Sequence, residues 1–166
     1  MADREVSLSS ISEFLALKRI AMVGVSRESK DFSRMLFEEF RRRGYDIIPV
    51  NPSAKEILGQ PCFARLQDLH PSAEAAILMT SPAVTESVVH DCAEAGIRRV
   101  WMYSPGGGQG ATSPGALEFC RAHGIEVIRG HCPFMFWRDS SFGHHFHGFA
   151  LKILGRYPNG SHATAA

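Results

Sequence analysis

No stretch of this chain reaches the roughly 18 consecutive apolar residues that a membrane-spanning helix needs. The opening MADREVSL has no apolar signal-peptide core either, so membrane insertion and export are not expected and the cytoplasm is the expected compartment. Charge of one sign is also missing. The formal net charge is +1, and the visible cationic clusters, residues 41–43 and 98–99, are local. A nucleic-acid binder would carry a concentrated basic face, so none is expected to bind here. Residues 41–43 precede Gly44, where cations complement the C-terminal dipole of a helix. Four cysteines, Cys62, Cys92, Cys120 and Cys132, include no C-x-x-C pair, which predicts reduced thiols. The chain also lacks a recognisable P-loop, paired carboxylate motif or Ser-His-Asp pattern, so no catalytic residues are assigned.

What is present is a chain organised around residues 19–34, RIAMVGVSRESKDFSR. Arg19–Val23 is an apolar run suited to a buried strand, and Gly24 breaks it. A small polar loop follows. Phe32, Leu36 and Phe40 then recur at i, i+4 and i+8, on one helical face. A buried strand, a glycine and a helix opening form the phosphate-cradling corner of a Rossmann-like fold. The dinucleotide fingerprint G-x-G-x-x-G is absent: Ser26 stands at the second glycine and Ser29 at the third. The corner suggests a nucleotide-bearing ligand, with NAD not the default.

The remaining chain alternates strands and helices. A short helix is expected within residues 7–17, capped by Ser9 or Ser10, with Leu8, Ile11, Leu15 and Phe14 inward. Helix 32–43 ends at Gly44, a suitable C′ residue. Residues 45–50 form the second strand, stopped by Asn51-Pro52, and residues 53–70 form an irregular connection. Residues 75–79, 98–103 and 125–128 are the third to fifth strands. Ser81-Pro82 and Ser113-Pro114 open helices that Gly96 and Gly124 close. Val84, Val88 and Cys92 are the expected buried stripe of the first of these, and Leu117 and Cys120 the inward residues of the second. Another helix is expected over residues 146–154. The fold class is thus α/β, a Rossmann-like doubly wound five-stranded parallel sheet of strand order 3-2-1-4-5. Residues 1–157 form one domain, and residues 158–166 a frayed tail.

Ligands of such sheets bind beyond the carboxyl ends of the strands. Four of those ends carry small, kinked or polar loops: residues 24–30, 51–55, 80–82 and 104–110. The glycine-rich loop 104–110 suits a flap over a ligand and a flexible spacer equally. His131, Cys132, His144, His145 and His147 could ligate a metal, but their spacing fits no standard zinc pattern, so no metal is assigned. Cys132 is read as structural rather than as a redox thiol.

The segments IAMVGVSRES, GYDIIPVNP, EILGQPCFARLQDL, TSPAVTESVVHDCAEAGIRRVWM and GIEVIRGHCP follow one another over residues 19–133. In this series the chain resembles the bacterial CoA-binding domain family, and more remotely the nucleotide-binding half of the succinyl-CoA synthetase α subunit. The resemblance implies bound coenzyme A. It places Ser26 and Arg27 at the phosphate-receiving loop, next to Gly24 and Val25 of the same corner. The cations Lys30 and Arg34 suit phosphate pairing and solvated surface charge alike. Asn51, Pro52 and Lys55 match the region near the adenosine and 3′-phosphate, and Thr80, Ser81 and Pro82 the third-strand end beside the nucleotide. The segment SPGGGQGATS and the histidine-rich tail depart from the family pattern, so no contacts are carried over there. The ligase relatives use a phosphohistidine from another domain, and ligase activity by this chain alone is not expected.

The resulting expectation is a protein that binds CoA or a short acyl-CoA without recognisable catalytic machinery. The alternatives are an NAD- or ADP-binding sensor and a metal-assisted acyl-CoA enzyme using the histidine-rich tail. The partner is CoA or acyl-CoA, with no nucleic acid and no membrane, and homo-oligomerisation is left open. An acidic residue closing the second strand would favour NAD. Asn51 stands there instead.

Overall fold

In the computed structural model, residues 6–105 and 108–137 are described. The helix expected at 146–154, the tail at 158–166 and His144, His145 and His147 lie outside them. Helix α1 (Leu8–Ala16) precedes strand β1 (Arg19–Val23), helix α2 (Phe32–Arg42) and strand β2 (Asp46–Val50). A hairpin, β3 (Glu56–Ile57) with β4 (Gln60–Pro61), and a 3-10 turn at Leu66–Asp68 fill the connection that sequence left irregular. Strand β5 (Ala75–Leu78), helix α3 (Pro82–Glu94), strand β6 (Arg99–Met102), helix α4 (Pro114–Ala122) and strand β7 (Glu126–Arg129) follow. A second 3-10 turn covers Pro133–Phe136.

Alternation along each strand builds two cores on opposite faces of the sheet. Ile20, Met22, Ile47, Ile77, Trp101 and Ile128 pack with Ile11 and Phe14 of α1 and Leu36, Phe37 and Phe40 of α2. On the other face, Ala21, Val23, Ile48, Val50, Leu78, Val100 and Met102 meet Val88, Val89 and Cys92 of α3 and Ala116 and Cys120 of α4. Two details differ from the sequence reading. The α1 cap is Ser7, whose hydroxyl accepts from the Ser10 N–H, and not Ser9 or Ser10. Val84 points outward, 48% exposed, and the buried stripe of α3 is Thr85, Val88, Val89 and Cys92.

All pairings in the five-stranded sheet are parallel, as expected, but its order is β2-β1-β5-β6-β7. Counting only these five strands, that is 2-1-3-4-5 and not 3-2-1-4-5. β2 therefore lies at the edge, and β5 pairs with the other side of β1. Pro49 supplies the physical reason. Its carbonyl accepts the Phe63 N–H at 3.1 Å on the side away from β1, the side on which a proline has no N–H to give. A further full strand there would lose a ladder bond at Pro49, so proline belongs at an edge. The hairpin segment covers that edge with a few bonds: Asn51 donates to the Phe63 carbonyl, and Gln60 Nε2 to the Ile47 carbonyl.

Candidate functional site

Because β5 replaces β6 as the neighbour of β1, the strand order reverses between β1 and β5. The crevice at the switch point is then framed by loops 24–30 and 80–82, with loop 51–55 beside them.

The carboxyl ends of β1, β2 and β5 meet closely here. The Gly24 N–H donates to the Val50 carbonyl at 2.9 Å. Gly24 has φ +89°, and a Cβ there would stand 2.9 Å from the Met79 carbonyl oxygen and 3.2 Å from Thr80 Cγ2. Glycine is required by both the backbone angle and the closeness of the β5 end. A β-branched residue at 24 would thus disturb the junction of β1 and β5 directly. Val25 turns its side chain into the α2 core, fully buried, and offers only its backbone to the crevice.

The rest of the first loop is tied to α2. The Ser26 N–H donates to Ser33 Oγ at 2.9 Å, and Ser33 Oγ donates to Asp31 Oδ1 at 2.5 Å. Asp31 is the N-cap of α2 and also accepts from the Ser33 N–H at 2.8 Å. The α2 opening thus carries its own carboxylate, which stabilises the helix end and opposes a phosphate placed directly on it. Ser26 Oγ accepts from the Glu28 N–H at 3.1 Å. Arg34 donates to the Arg27 carbonyl at 3.4 Å and pairs with Glu38 at 3.2 Å, so its guanidinium braces the loop. Arg27 and Lys30 are exposed.

Loop 51–55 is a turn with proline at its second position: the Ala54 N–H donates to the Asn51 carbonyl at 3.2 Å. Asn51 Oδ1 accepts from the Ser53 N–H and Nδ2 donates to the Val25 carbonyl, each at 2.9 Å. Pro52 and Lys55 are exposed, and the Lys55 carbonyl is pinned by the Cys62 N–H at 2.9 Å.

At the β5 end, Thr80 Oγ1 lies 2.6 Å from the hydroxyl of fully buried Thr85, which donates to the Ser81 carbonyl at 3.1 Å. Ser81 is the N-cap of α3 and Pro82 the residue after it, yet the Ser81 hydroxyl makes no capping bond and is exposed. Loop 104–110 is anchored from beneath. Ser104 Oγ donates to the Gln109 carbonyl at 3.1 Å, and the Ala111 N–H to the Tyr103 carbonyl at 2.8 Å. A Cβ on Gly110 would lie 2.2 Å from the Tyr103 carbonyl oxygen.

Sequence reasoning named residues in all three crevice loops but missed Asp31, Ser33, Met79 and Thr85, which shape them. Asp31 was detectable, being an acidic residue directly before an amphipathic helix. Beside the crevice, Phe32 stacks on Tyr103 at 5.0 Å, and burial first, then Cys132, pushes the Tyr103 hydroxyl up to about 12. Burial also pushes the Cys132 thiol up to about 11, away from a ready thiolate. It holds His131 below the usual imidazole range, and His131 Nδ1 has no partner among the described residues. No group of three metal-ligating side chains occurs among the described residues, and no helix there is long and apolar enough to cross a membrane.

A doubly wound parallel sheet with polar loops meeting over its switch point makes this a Rossmann-like α/β protein. The chain belongs to the CoA binding domain family, whose model matches residues 18–138. An ADP-forming acetate–CoA ligase of Archaeoglobus fulgidus is 25% identical over 131 residues, 75% of this chain and 20% of the ligase. The chain thus spans about one fifth of that relative. An uncharacterised Bacillus subtilis protein is 39% identical over 64 residues, 38% of this chain and 47% of that protein. Among solved structures, a conserved hypothetical protein from Pyrococcus furiosus is 27% identical with a TM-score of 0.63, covering 69% of this chain and 95% of that one. A dinucleotide-forming acetyl-coenzyme A synthetase of Ca. Korarchaeum cryptofilum, solved with phosphate and ADP, shares the fold at 21% identity and a TM-score of 0.58. It covers 66% of this chain and 25% of the synthetase.

Proposed function

We propose that this protein binds coenzyme A or a short acyl-CoA in the crevice between β1 and β5, through residues of loops 24–30, 51–55 and 80–82, and carries no catalytic machinery of its own. The observation that carries the reading is the joining of those loops over the switch point within a chain that matches the CoA binding domain family across residues 18–138. The charge on the loops fits such a ligand. Arg27, Lys30 and Lys55 are exposed on these loops, and phosphates recruit guanidinium and ammonium groups. Arg27 and Lys30 sit with the pyrophosphate, Lys55 with the 3′-phosphate, and the backbone of Gly24 and Val25 lies beneath them. Thr80, Ser81 and Pro82 border the nucleotide.

Two features favour CoA over NAD. Ser26 and Ser29 stand where the dinucleotide fingerprint has glycine, and Asn51 ends β2 where an acidic residue would take the ribose hydroxyl. The compartment of this reading is the cytoplasm, with the fold unit at residues 1–157 acting as one domain. Native mass spectrometry of protein purified without added ligand tests it. The expected spectrum contains a species heavier by one CoA, or acquires it when CoA is added. An increment matching NAD or ADP alone, or none after CoA addition, would overturn the assignment.

A further inference from the structure

Asn51 is expected from the family resemblance to border the adenosine, yet both polar atoms of its half-buried side chain already bond within the protein. Nδ2 donates to the Val25 carbonyl and Oδ1 accepts from the Ser53 N–H, both at 2.9 Å. Its backbone is held too, with the N–H on the Phe63 carbonyl and the carbonyl on the Ala54 N–H. These two side-chain bonds fix where the Asn51 side chain points, although the amide keeps one further N–H and one lone pair. Beyond the Gly24–Val50 bond at its base and the Ser26–Glu28 bond within it, loop 24–30 is tied to α2 by Ser26 to Ser33 and Arg27 to Arg34. Those ties order the loop against its own helix and leave its spacing from loop 51–55 to Asn51.

We propose that Asn51 is a positioning residue. It is a cross-brace that fixes loop 24–30 against loop 51–55, so that a ligand spanning both meets them at one spacing. The inference rests on the CoA reading for its ligand, but not for its geometry. A ligand reaching both loops gains from their fixed separation, because neither loop must be ordered on binding. A ligand occupying only loop 51–55 gains nothing from the brace.

Two variants separate the brace from the local turn. Asn51→Ala removes both side-chain bonds. Asn51→Ser keeps a hydroxyl that can accept the Ser53 N–H, as serine does in such turns, but is too short to reach Val25. The probes are CoA and adenosine 3′-monophosphate, which lacks the pyrophosphate, titrated by calorimetry at fixed ionic strength. Amide hydrogen exchange of the ligand-free proteins is measured alongside.

Both variants are expected to bind CoA about five- to tenfold more weakly, the effect of one neutral hydrogen bond. The monophosphate should weaken by less than about twofold, and exchange of residues 25–27 should quicken in both variants. Equal losses for both ligands would mean that Asn51 touches the ligand or acts only through stability, and would overturn the proposal. So would wild-type CoA affinity in Asn51→Ser, or unchanged exchange at residues 25–27. If Asn51→Ala fails to fold, Asn51→Ser carries the same comparison. Wild-type protein that binds no CoA would overturn the functional reading, while the exchange measurement would still decide whether Asn51 braces the loops.

Discussion

Replacing Gly24 with alanine tests the junction on which the crevice depends. Two costs combine. At φ +89° a side chain enters a backbone region that costs about 1–3 kcal/mol for a non-glycine residue. The new Cβ also meets the Met79 carbonyl oxygen at 2.9 Å and its carbon at 3.1 Å. These are backbone atoms of the residue directly after β5, held by the Met79 N–H to the Val23 carbonyl at 2.8 Å, so relief requires the two strand ends to part. Overpacking of this kind costs about 1–3 kcal/mol. Gly24→Ala should therefore lose about 2–6 kcal/mol in urea unfolding, a large part of the roughly 5–15 kcal/mol that holds an ordinary domain folded. Gly124→Ala is the control: φ is +65°, and nothing lies within 4 Å of the added Cβ. It should lose only the backbone part, about 1 kcal/mol. If the two variants lose the same, the close approach of the β1 loop to β5 is wrong, and with it the crevice.

The buried thiols give a pH prediction. Burial pushes Cys92 up to about 12 and Cys120 and Cys132 up to about 11, while an unfolded cysteine titrates near 8.5. Above that value the unfolded chain binds fewer protons than the folded one. Stability from these thiols is then fully present below about pH 8.5 and falls as pH rises toward 11–12, by up to about 1.4 kcal/mol per pH unit for each. Urea melts that stayed flat from pH 8 to 10 would contradict it. In the same vein, a thiol reagent at pH 8 should modify half-buried Cys62 before the other three, and fast labelling of Cys132 would show its burial to be wrong. Thr85→Val leaves Thr80 Oγ1 without its 2.6 Å partner and should cost about 1 kcal/mol. A neutral result would mean that the Thr80 hydroxyl is anchored by something else.

Much of the fold was legible because its punctuation is strong. Ser-Pro before and glycine after both α3 and α4 marked their ends, and the alternation of apolar runs with 3.6-residue stripes gave five parallel strands. The strand order was misjudged because nothing local in an apolar run states which strand lies beside it. The one residue that carried the information was Pro49, whose missing N–H places β2 at an edge. Val84 was misassigned because α3 has apolar or small residues around much of its circumference, so spacing alone does not select the buried face. At the site, Gly24, Ser26, Asn51 and Thr80 were legible as polar or small residues at strand ends. Their partnerships were not, since Asn51–Val25 and Gly24–Met79 join residues far apart in sequence and follow from the strand order. The Asp31–Ser33–Ser26 relay is local, and a capping reading of Asp31 would have found its first link.

The most direct test of the CoA assignment is a titration of CoA, dephospho-CoA and NAD into wild type, Lys55→Ala and Arg27→Ala at fixed ionic strength. CoA and dephospho-CoA differ only by the 3′-phosphate, which the reading sets beside the exposed Lys55, while both retain the pyrophosphate beside Arg27. A charge-assisted hydrogen bond contributes about 1.5–3 kcal/mol, so its loss weakens binding roughly ten- to a hundredfold. CoA should bind wild type tightest, and Lys55→Ala should remove most of its advantage over dephospho-CoA. Arg27→Ala should weaken both alike, and NAD should bind worst throughout. Tightest binding by NAD, or equal binding of CoA and dephospho-CoA to wild type, would contradict the account.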